Sequence, residues 1–358
     1  MDQVRAITAS PAWLMLLFWL WLIISANAEL DRFKHETRRE DGSINLLVVG
    51  DWGRNGAFNQ SHVANQMGRI GEIIGIDFVI STGDNFYGSG LKNEHDPKFT
   101  ESFTRIYTAK SLQRQWYSVL GNHDYRGNVI AQLSPALKKR DNRWLCWRSF
   151  VVDAGVAEIF FVDTTPFVLS YWDPNSSVKH DWRGIGSRKE YIQSLLKDLD
   201  LALNKSSATW KVVVGHHGIK SAGYHGDTAE LLMHLLPVLQ ANDVDFYVNG
   251  HDHCLQHIED TNSKLQFFTS GAGSKAWRGY TGGLKRPDLK FYYDGQGFMS
   301  VQLGHSDANL SFHDINGKVL HQWSSLKQLN SSLLAMDSDR EKIHYKDVRM
   351  YTKGVEMV

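Results

Sequence analysis

Charge of one sign is what this chain lacks. Its 39 Lys and Arg balance 39 Asp and Glu, for a formal net charge of zero over 358 residues. That removes the broad basic field by which proteins hold nucleic acid or an anionic membrane, so neither is expected as a partner. A small anionic substrate stays open, because a site can be positive inside a neutral protein. Cysteine is nearly absent too, with only Cys146 and Cys254, far apart in sequence. They could pair in an oxidising compartment or be two buried thiols, since spacing does not set the Cα separation of under ~7 Å that a disulfide needs. No internal repeat or low-complexity linker interrupts residues 44–323, which points to one domain rather than two.

Long apolar runs are confined to the N-terminus. WLMLLFWLWLII, from Trp13 to Ile24, follows Arg5 and leads into Ser25-Ala26-Asn27-Ala28. It falls short of the ~20 apolar residues that span a bilayer. Small residues at Ala26 and Ala28 fit signal-peptidase cleavage before Glu29. Residues 1–28 are therefore expected to be a signal peptide, with an uncleaved anchor as the rival. Export gives meaning to the sequons at Asn59, Asn175, Asn204, Asn309 and Asn330, read as glycosylation sites. Residues 29–43 read as a polar linker, and residues 324–358 as a flexible tail or a short appended helix.

What the chain does have is alternation. INLLVVGD, DFVISTGD, WYSVLGN, AEIFFVDT, WKVVVGHH and DFYVNGHDH each look like a buried strand that stops at a polar cluster. Between several of them lie the helical patterns SHVANQMGRIGEII, SRKEYIQSLLKDLDLAL and DTAELLMHLLPVLQ. Such alternation implies an α/β layered domain with a mostly parallel sheet, in which ligands gather outside the carboxyl ends of the strands. LQFFTSGAG, KFYYDGQGFMSVQLG, ANLSFHDI and GKVLHQW look instead like antiparallel strands joined by Gly and Asn turns.

The strand ends collect an unusual set of side chains. Gly50-Asp51-Trp52-Gly53 gives a carboxylate, and Gly83-Asp84-Asn85-Phe86-Tyr87 gives a carboxylate and a phenol. Gly121-Asn122-His123-Asp124 gives an amide oxygen and an imidazole; Gly215-His216-His217 and Gly250-His251-Asp252-His253 give further imidazoles. Alone, each has a bland explanation, since Asp at a strand end often caps a helix and His in a strand is often a satisfied core residue. Five donor clusters at equivalent positions of one sheet are not required by packing. Carboxylate, imidazole, amide and phenolate donors suit iron, zinc or manganese, and they are too many for one ion. Two ions ~3.5–4 Å apart clamp a phosphoryl group and share a bridging carboxylate, for which Asp84 is best placed.

The ordered set GDWG, GDNFY, GNHD, GHH and GHDH resembles the purple acid phosphatases of the metallophosphoesterase superfamily. The small plant-type members, which are similar to mammalian tartrate-resistant acid phosphatase, are the nearer likeness. The resemblance runs from about Asn45 to Trp323. It implies a calcineurin-like metallophosphoesterase domain over residues 44–323, a four-layer α/β/β/α sandwich with two mixed sheets flanked by helices. Carried over, Asp51, Asp84, Tyr87 and His253 would hold Fe(III), with the tyrosine as phenolate. Asp84, Asn122, His216 and His251 would hold a divalent ion: Fe(II), Zn(II) or Mn(II). His123 would bind the substrate phosphate beside Asn122. In GHHGIKSAGYHGDT, Tyr224 and His225 fall where animal members carry a Glu-His pair, so His225 becomes the candidate general acid and a substrate-binding residue. Tyr224 departs from the acidic residue of animal members and from the histidine common in plant relatives. His217 is expected to support a ligand rather than be one.

By the same resemblance, the expected activity is acid hydrolysis of phosphate monoesters with broad specificity, through a metal-bound hydroxide. Small phosphoesters and inorganic phosphate would be the partners of a monomer. The secretory route would lead to the apoplast, cell wall or vacuole. Two alternatives are a secreted iron glycoprotein with mainly peroxidase-like redox chemistry, and a non-catalytic metal-storage protein.

Overall fold

A computed structural model describes residues 29–327. The segment read as a signal peptide, Asn330 and most of the C-terminal tail lie outside the described residues. Fifteen strands form two mixed sheets. The seven-stranded sheet runs in the order β15-β14-β13-β2-β3-β4-β5. It is built from β2 (Ile44–Val49), β3 (Phe78–Ser81), β4 (Gln115–Ser118), β5 (Trp144–Cys146), β13 (Gly297–Leu303), β14 (Asp307–Asp314) and β15 (Val319–Leu326). The eight-stranded sheet runs β1-β6-β7-β8-β9-β11-β10-β12. Its strands are β1 (Asp31–Lys34), β6 (Phe150–Asp153), β7 (Ala157–Phe161), β8 (Trp210–Val214), β9 (Phe246–Asn249), β10 (Leu255–Glu259), β11 (Gln266–Ser270) and β12 (Leu289–Tyr293).

Period-two alternation decides how these sheets stack, because successive side chains of a strand point to opposite faces. In β2, Leu46 and Val48 enter the core between the two sheets, while Leu47 and Val49 face the helical layer. On that outer side Val63 and Met67 of α1 (Gln60–Ile74) pack against them. β8 repeats the arrangement, with Val212 and Val214 turned inward and Val213 turned toward Leu195 and Leu199 of α2 (Arg188–Lys205). Both faces of each central strand are thus apolar, which is why these segments read as continuous runs. Helix, sheet, sheet and helix give four layers.

Local signals explain the helix limits. Gly75 takes φ 62° and closes α1 with a left-handed cap, while the Ser187 hydroxyl accepts the Glu190 N–H at the start of α2. The pattern DTAELLMHLLPVLQ divides into α3 (Ala229–His234) and α4 (Leu236–Ala241). Pro237 has no N–H to continue the first helix, so the break falls just before it.

Four expectations change. The two mixed sheets implied by the family resemblance are present, and the one mostly parallel sheet read from alternation gives way to them: β2 to β5 lie in one, β7, β8, β9 and β11 in the other, and antiparallel strands complete both. LQFFTSGAG supplies β11, which pairs antiparallel with β10 but parallel with β9. The stretch read as a polar linker contains an edge strand: β1 pairs in parallel with β6, and of its residues only Phe33 packs inward, edge-on to Phe150. An edge strand with one apolar residue has no alternation to read. The last sheet strand also runs past Trp323, to Leu326. Cys146 and Cys254 are both buried free thiols, one ending β5 and the other just before β10 of the second sheet. Among the described residues no helix is long and apolar enough to cross a membrane.

Candidate metal centre

The carboxyl ends of parallel strands from both sheets meet at one place. Asp51 follows β2, Asp84 follows β3 and Asn122 follows β4, all in the seven-stranded sheet; His216 follows β8, and His251 and His253 follow β9, across in the other. The backbone turns sharply there. Asp51, Asp84 and His251 hold φ of 60°, 50° and 68°, the left-handed region that costs a non-glycine residue about 1 kcal/mol or more. Glycines allow the close approach. A Cβ on Gly121 would lie 2.2 Å from Asp84 Oδ1, and one on Gly250 would lie 2.5 Å from Asp51 Oδ2.

The side chains form two groups that share one carboxylate. In the first, the Tyr87 hydroxyl lies 2.8 Å from Asp51 Oδ1, 2.8 Å from Asp84 Oδ2 and 3.0 Å from His253 Nε2. In the second, His216 Nε2 lies 3.1 Å from Asn122 Oδ1, 3.3 Å from His251 Nδ1 and 3.5 Å from Asp84 Oδ1. All seven residues are buried. The count of protons is informative. One phenol proton cannot serve three acceptors. His216 Nδ1 is committed to the Thr82 carbonyl at 2.9 Å, so in a neutral imidazole Nε2 turns a lone pair toward Asp84 and His251. Converging lone pairs repel unless a cation lies among them. The donor chemistry therefore fits two ions, with Asp84 offering one oxygen to each.

Electrostatics agree. Burial raises the Asp51 carboxyl well above its ordinary range, with the Asp84 charge adding to it. Burial would raise Asp84 as well, but His216, His123, the His123 N–H and the Tyr87 hydroxyl outweigh it and hold that group at about 2. The Tyr87 phenol is pushed up by burial and then by the charges of Asp51 and Asp84. Burial lowers His253 to about 4 and holds His251 well below its usual value. Without cations these groups oppose one another's ionisation. Metal ions reverse the sign and favour carboxylate, phenolate and neutral imidazole together.

A cavity of about 580 Å³ opens onto this cluster. His123 stands on its Tyr87 side, ring centroids 4.5 Å apart, with its backbone N–H 2.8 Å from Asp84 Oδ1. His225 stacks on His251 at 3.9 Å and faces the cavity beside Trp277. Tyr224 turns away. It is 65% exposed, and its ring meets Trp277 and Tyr280 at the rim. The ring nitrogens of His217 come near those of His216 and His251 but are taken by the Thr164 hydroxyl at 3.0 Å and the Tyr171 hydroxyl at 3.3 Å.

The description "calcineurin-like phosphoesterase" fits residues 44–255. Purple acid phosphatase 17 of Arabidopsis thaliana is 58% identical over 91% of this chain and 97% of its own length. The chain belongs to the purple acid phosphatases. Tartrate-resistant acid phosphatase type 5 of Rattus norvegicus is 32% identical over 79% of this chain and 90% of its own. Among solved structures, GAP50, the anchor in the inner membrane complex of Plasmodium, matches with TM-score 0.66 at 25% identity, over 80% of this chain and 90% of its own.

In this purple acid phosphatase, several site residues carry no signal of their own in the sequence. The buried Asp124 carboxylate accepts N–H bonds from Gly121, Asn85 and Phe86, tying the turn after β3 to the turn after β4. Asp252, between two candidate ligands, accepts the His225 N–H at 2.9 Å and fixes the loop that presents His225. Arg54 lies 3.5 Å over the Tyr87 ring. Asp124 and Asp252 lie inside the motifs GNHD and GHDH, and that adjacency to candidate ligands is the signal that could have found them. Arg54 and Trp277 sit outside any motif. The sequons Asn175, Asn204 and Asn309 are exposed and Asn59 is half-buried.

Proposed function

We propose that this purple acid phosphatase hydrolyses phosphate monoesters in acid, using Fe(III) at Asp51, Asp84, Tyr87 and His253 and a divalent ion at Asp84, Asn122, His216 and His251. The observation that carries the reading is the Tyr87 oxygen within 3.0 Å of two carboxylates and an imidazole. A cation satisfies all four groups at once without added protons, and a phenolate beside carboxylates suits a hard trivalent ion. Bound there, a metal pair would supply Lewis acidity toward the phosphoryl group and the attacking water.

The chain's own residues divide the remaining work. Asn122 and His123 come from the turn that is pinned to Asp84, which favours holding the phosphoryl oxygens at the metal pair. His225, held by Asp252 and stacked on His251, is positioned to protonate the departing oxygen. Burial lowers the His225 imidazole, so an acidic medium is needed to load its proton. Broad specificity belongs to the proposal because no motif for one particular phosphoester is visible in the sequence. An N-terminal signal peptide, glycosylation at the sequons and delivery to the apoplast, cell wall or vacuole complete the proposal.

His225→Gln tests it. Hydrolysis of an alkyl phosphate, whose leaving group needs a proton, should fall by about 10²- to 10⁴-fold in kcat. Hydrolysis of p-nitrophenyl phosphate, whose leaving group departs as a stable anion, should fall by less than about tenfold. Equal losses on both substrates would remove His225 from the acid role. Wild-type protein that turns over peroxide but neither ester would overturn the phosphatase reading itself.

A further inference from the structure

Arg126 follows the short helical turn Asn122–Tyr125 and lies three residues after His123, on the same face. Arg126 lines the cavity. Nη1 is 3.3 Å from His123 Nδ1 and 3.1 Å from His123 Nε2, and Nε is buried without a hydrogen-bond partner. Among the described residues no carboxylate lies within ion-pair distance of it. Other recessed arginines are matched: Arg143 pairs with Asp141, Arg148 with Asp163 and Arg286 with Asp288. The charge is felt by its neighbours, since His180 is lowered to about 4 by burial and then by Arg126.

A purely structural arginine would spend its five donors on carbonyls or carboxylates. Among the described residues Arg126 meets only the His123 imidazole, a weak partner for a cation, and it faces a cavity in which a dianion is expected. Apart from the candidate ligand Asp84, the carboxylates lining that cavity, Asp227 and Glu230, belong to the segment that carries His225, and Arg126 stands with His123. The cation therefore marks the phosphoryl side, away from the leaving group. We infer that Arg126 is a substrate-binding residue that holds non-bridging phosphoryl oxygens of ester and inorganic phosphate together with His123. The inference rests on the phosphatase reading above. Guanidinium–phosphate bonds are charge-assisted and can be bidentate, and the same contact would serve substrate and product alike.

The test is steady-state kinetics on purified holoenzyme with p-nitrophenyl phosphate and an alkyl phosphate, and with inorganic phosphate as inhibitor. Arg126→Gln should raise KM for both esters and the inhibition constant for phosphate by about 10- to 100-fold. Its kcat should stay within about threefold, because binding lost equally from ground and transition states does not slow the chemical step. Arg126→Lys, which keeps the charge without the fork, should recover part of the phosphate affinity, and this recovery separates charge from folding damage. A fall in kcat with KM and phosphate inhibition unchanged would make Arg126 a support for His123 and overturn the inference. Unchanged kinetics would overturn it as well. Failure of the wild-type protein to hydrolyse either ester would instead sink the underlying phosphatase reading.

Discussion

Asp84 shows how much one residue can be asked to do. Oδ2 faces Tyr87 at 2.8 Å, Oδ1 lies 3.5 Å from His216 Nε2 and also accepts the His123 N–H, and the backbone sits at φ 50°. If Asp84 bridges two ions, Asp84→Ala should leave the folded protein with almost no bound metal, while Asn122→Leu should keep the Tyr87-side ion alone. Elemental analysis should then read about two, one and no ions per chain for wild type, the Asn122 variant and the Asp84 variant. The same loss in both variants would contradict sharing. The ligand residues were legible because each follows an apolar run and a glycine, so their equivalence could be seen without coordinates. Asp124 was not legible as a brace, because its three N–H partners come from turns whose proximity exists only once β3 and β4 are paired. Arg126 was hidden for a related reason: its meaning is the lack of a counterion, and a sequence cannot show what a side chain fails to meet.

At the scale of elements, the central strands were readable because both their faces are buried, giving runs such as INLLVV and WKVVV. The strands that were missed are short or mixed in character. WLC of β5 has three residues, β1 buries only part of Phe33, and LQHIE of β10 places polar residues in the interior. β10 shows why polar residues are tolerated there. His257 is 1% exposed, with Nε2 2.8 Å from Gln266 Oε1 and Nδ1 3.0 Å from His321 Nε2. A neutral ring satisfies this pair, donating to the amide oxygen and accepting from His321. Burial holds the imidazole at about 4, below an unfolded value near 6.5. As pH falls the unfolded chain takes the proton first, so this stability is complete above about pH 6.5 and is lost as pH falls to about 4. The contribution amounts to up to about 3 kcal/mol. His257→Gln should therefore flatten the decline in melting temperature between pH ~7 and ~4.5. An unchanged slope would place the acid sensitivity elsewhere. An enzyme proposed to work in acid is expected to offset such a site by binding metal, which adds stability to the folded state.

At the scale of the molecule, the two sheets matter more than either one. Seven candidate ligands spread from residue 51 to residue 253 converge because β2, β3 and β4 of one sheet and β8 and β9 of the other end at the same rim. The alternation of strands and helices predicted a single mostly parallel sheet; the division into two follows from inner faces that pack on each other, as Val48 and Val248 do in the core between them. The motif resemblance supplied the two-sheet architecture that periodicity alone could not. Both lines meet in the metal centre, and that is the central claim. The measurement that tests it most directly is the visible absorption spectrum of the purified protein beside that of Tyr87→Phe, with metal analysis of each. A broad band in the yellow-green region that is present with iron in the wild type and absent in the variant is the predicted result. A colourless wild-type protein without iron would contradict an Fe(III)–phenolate centre at Tyr87.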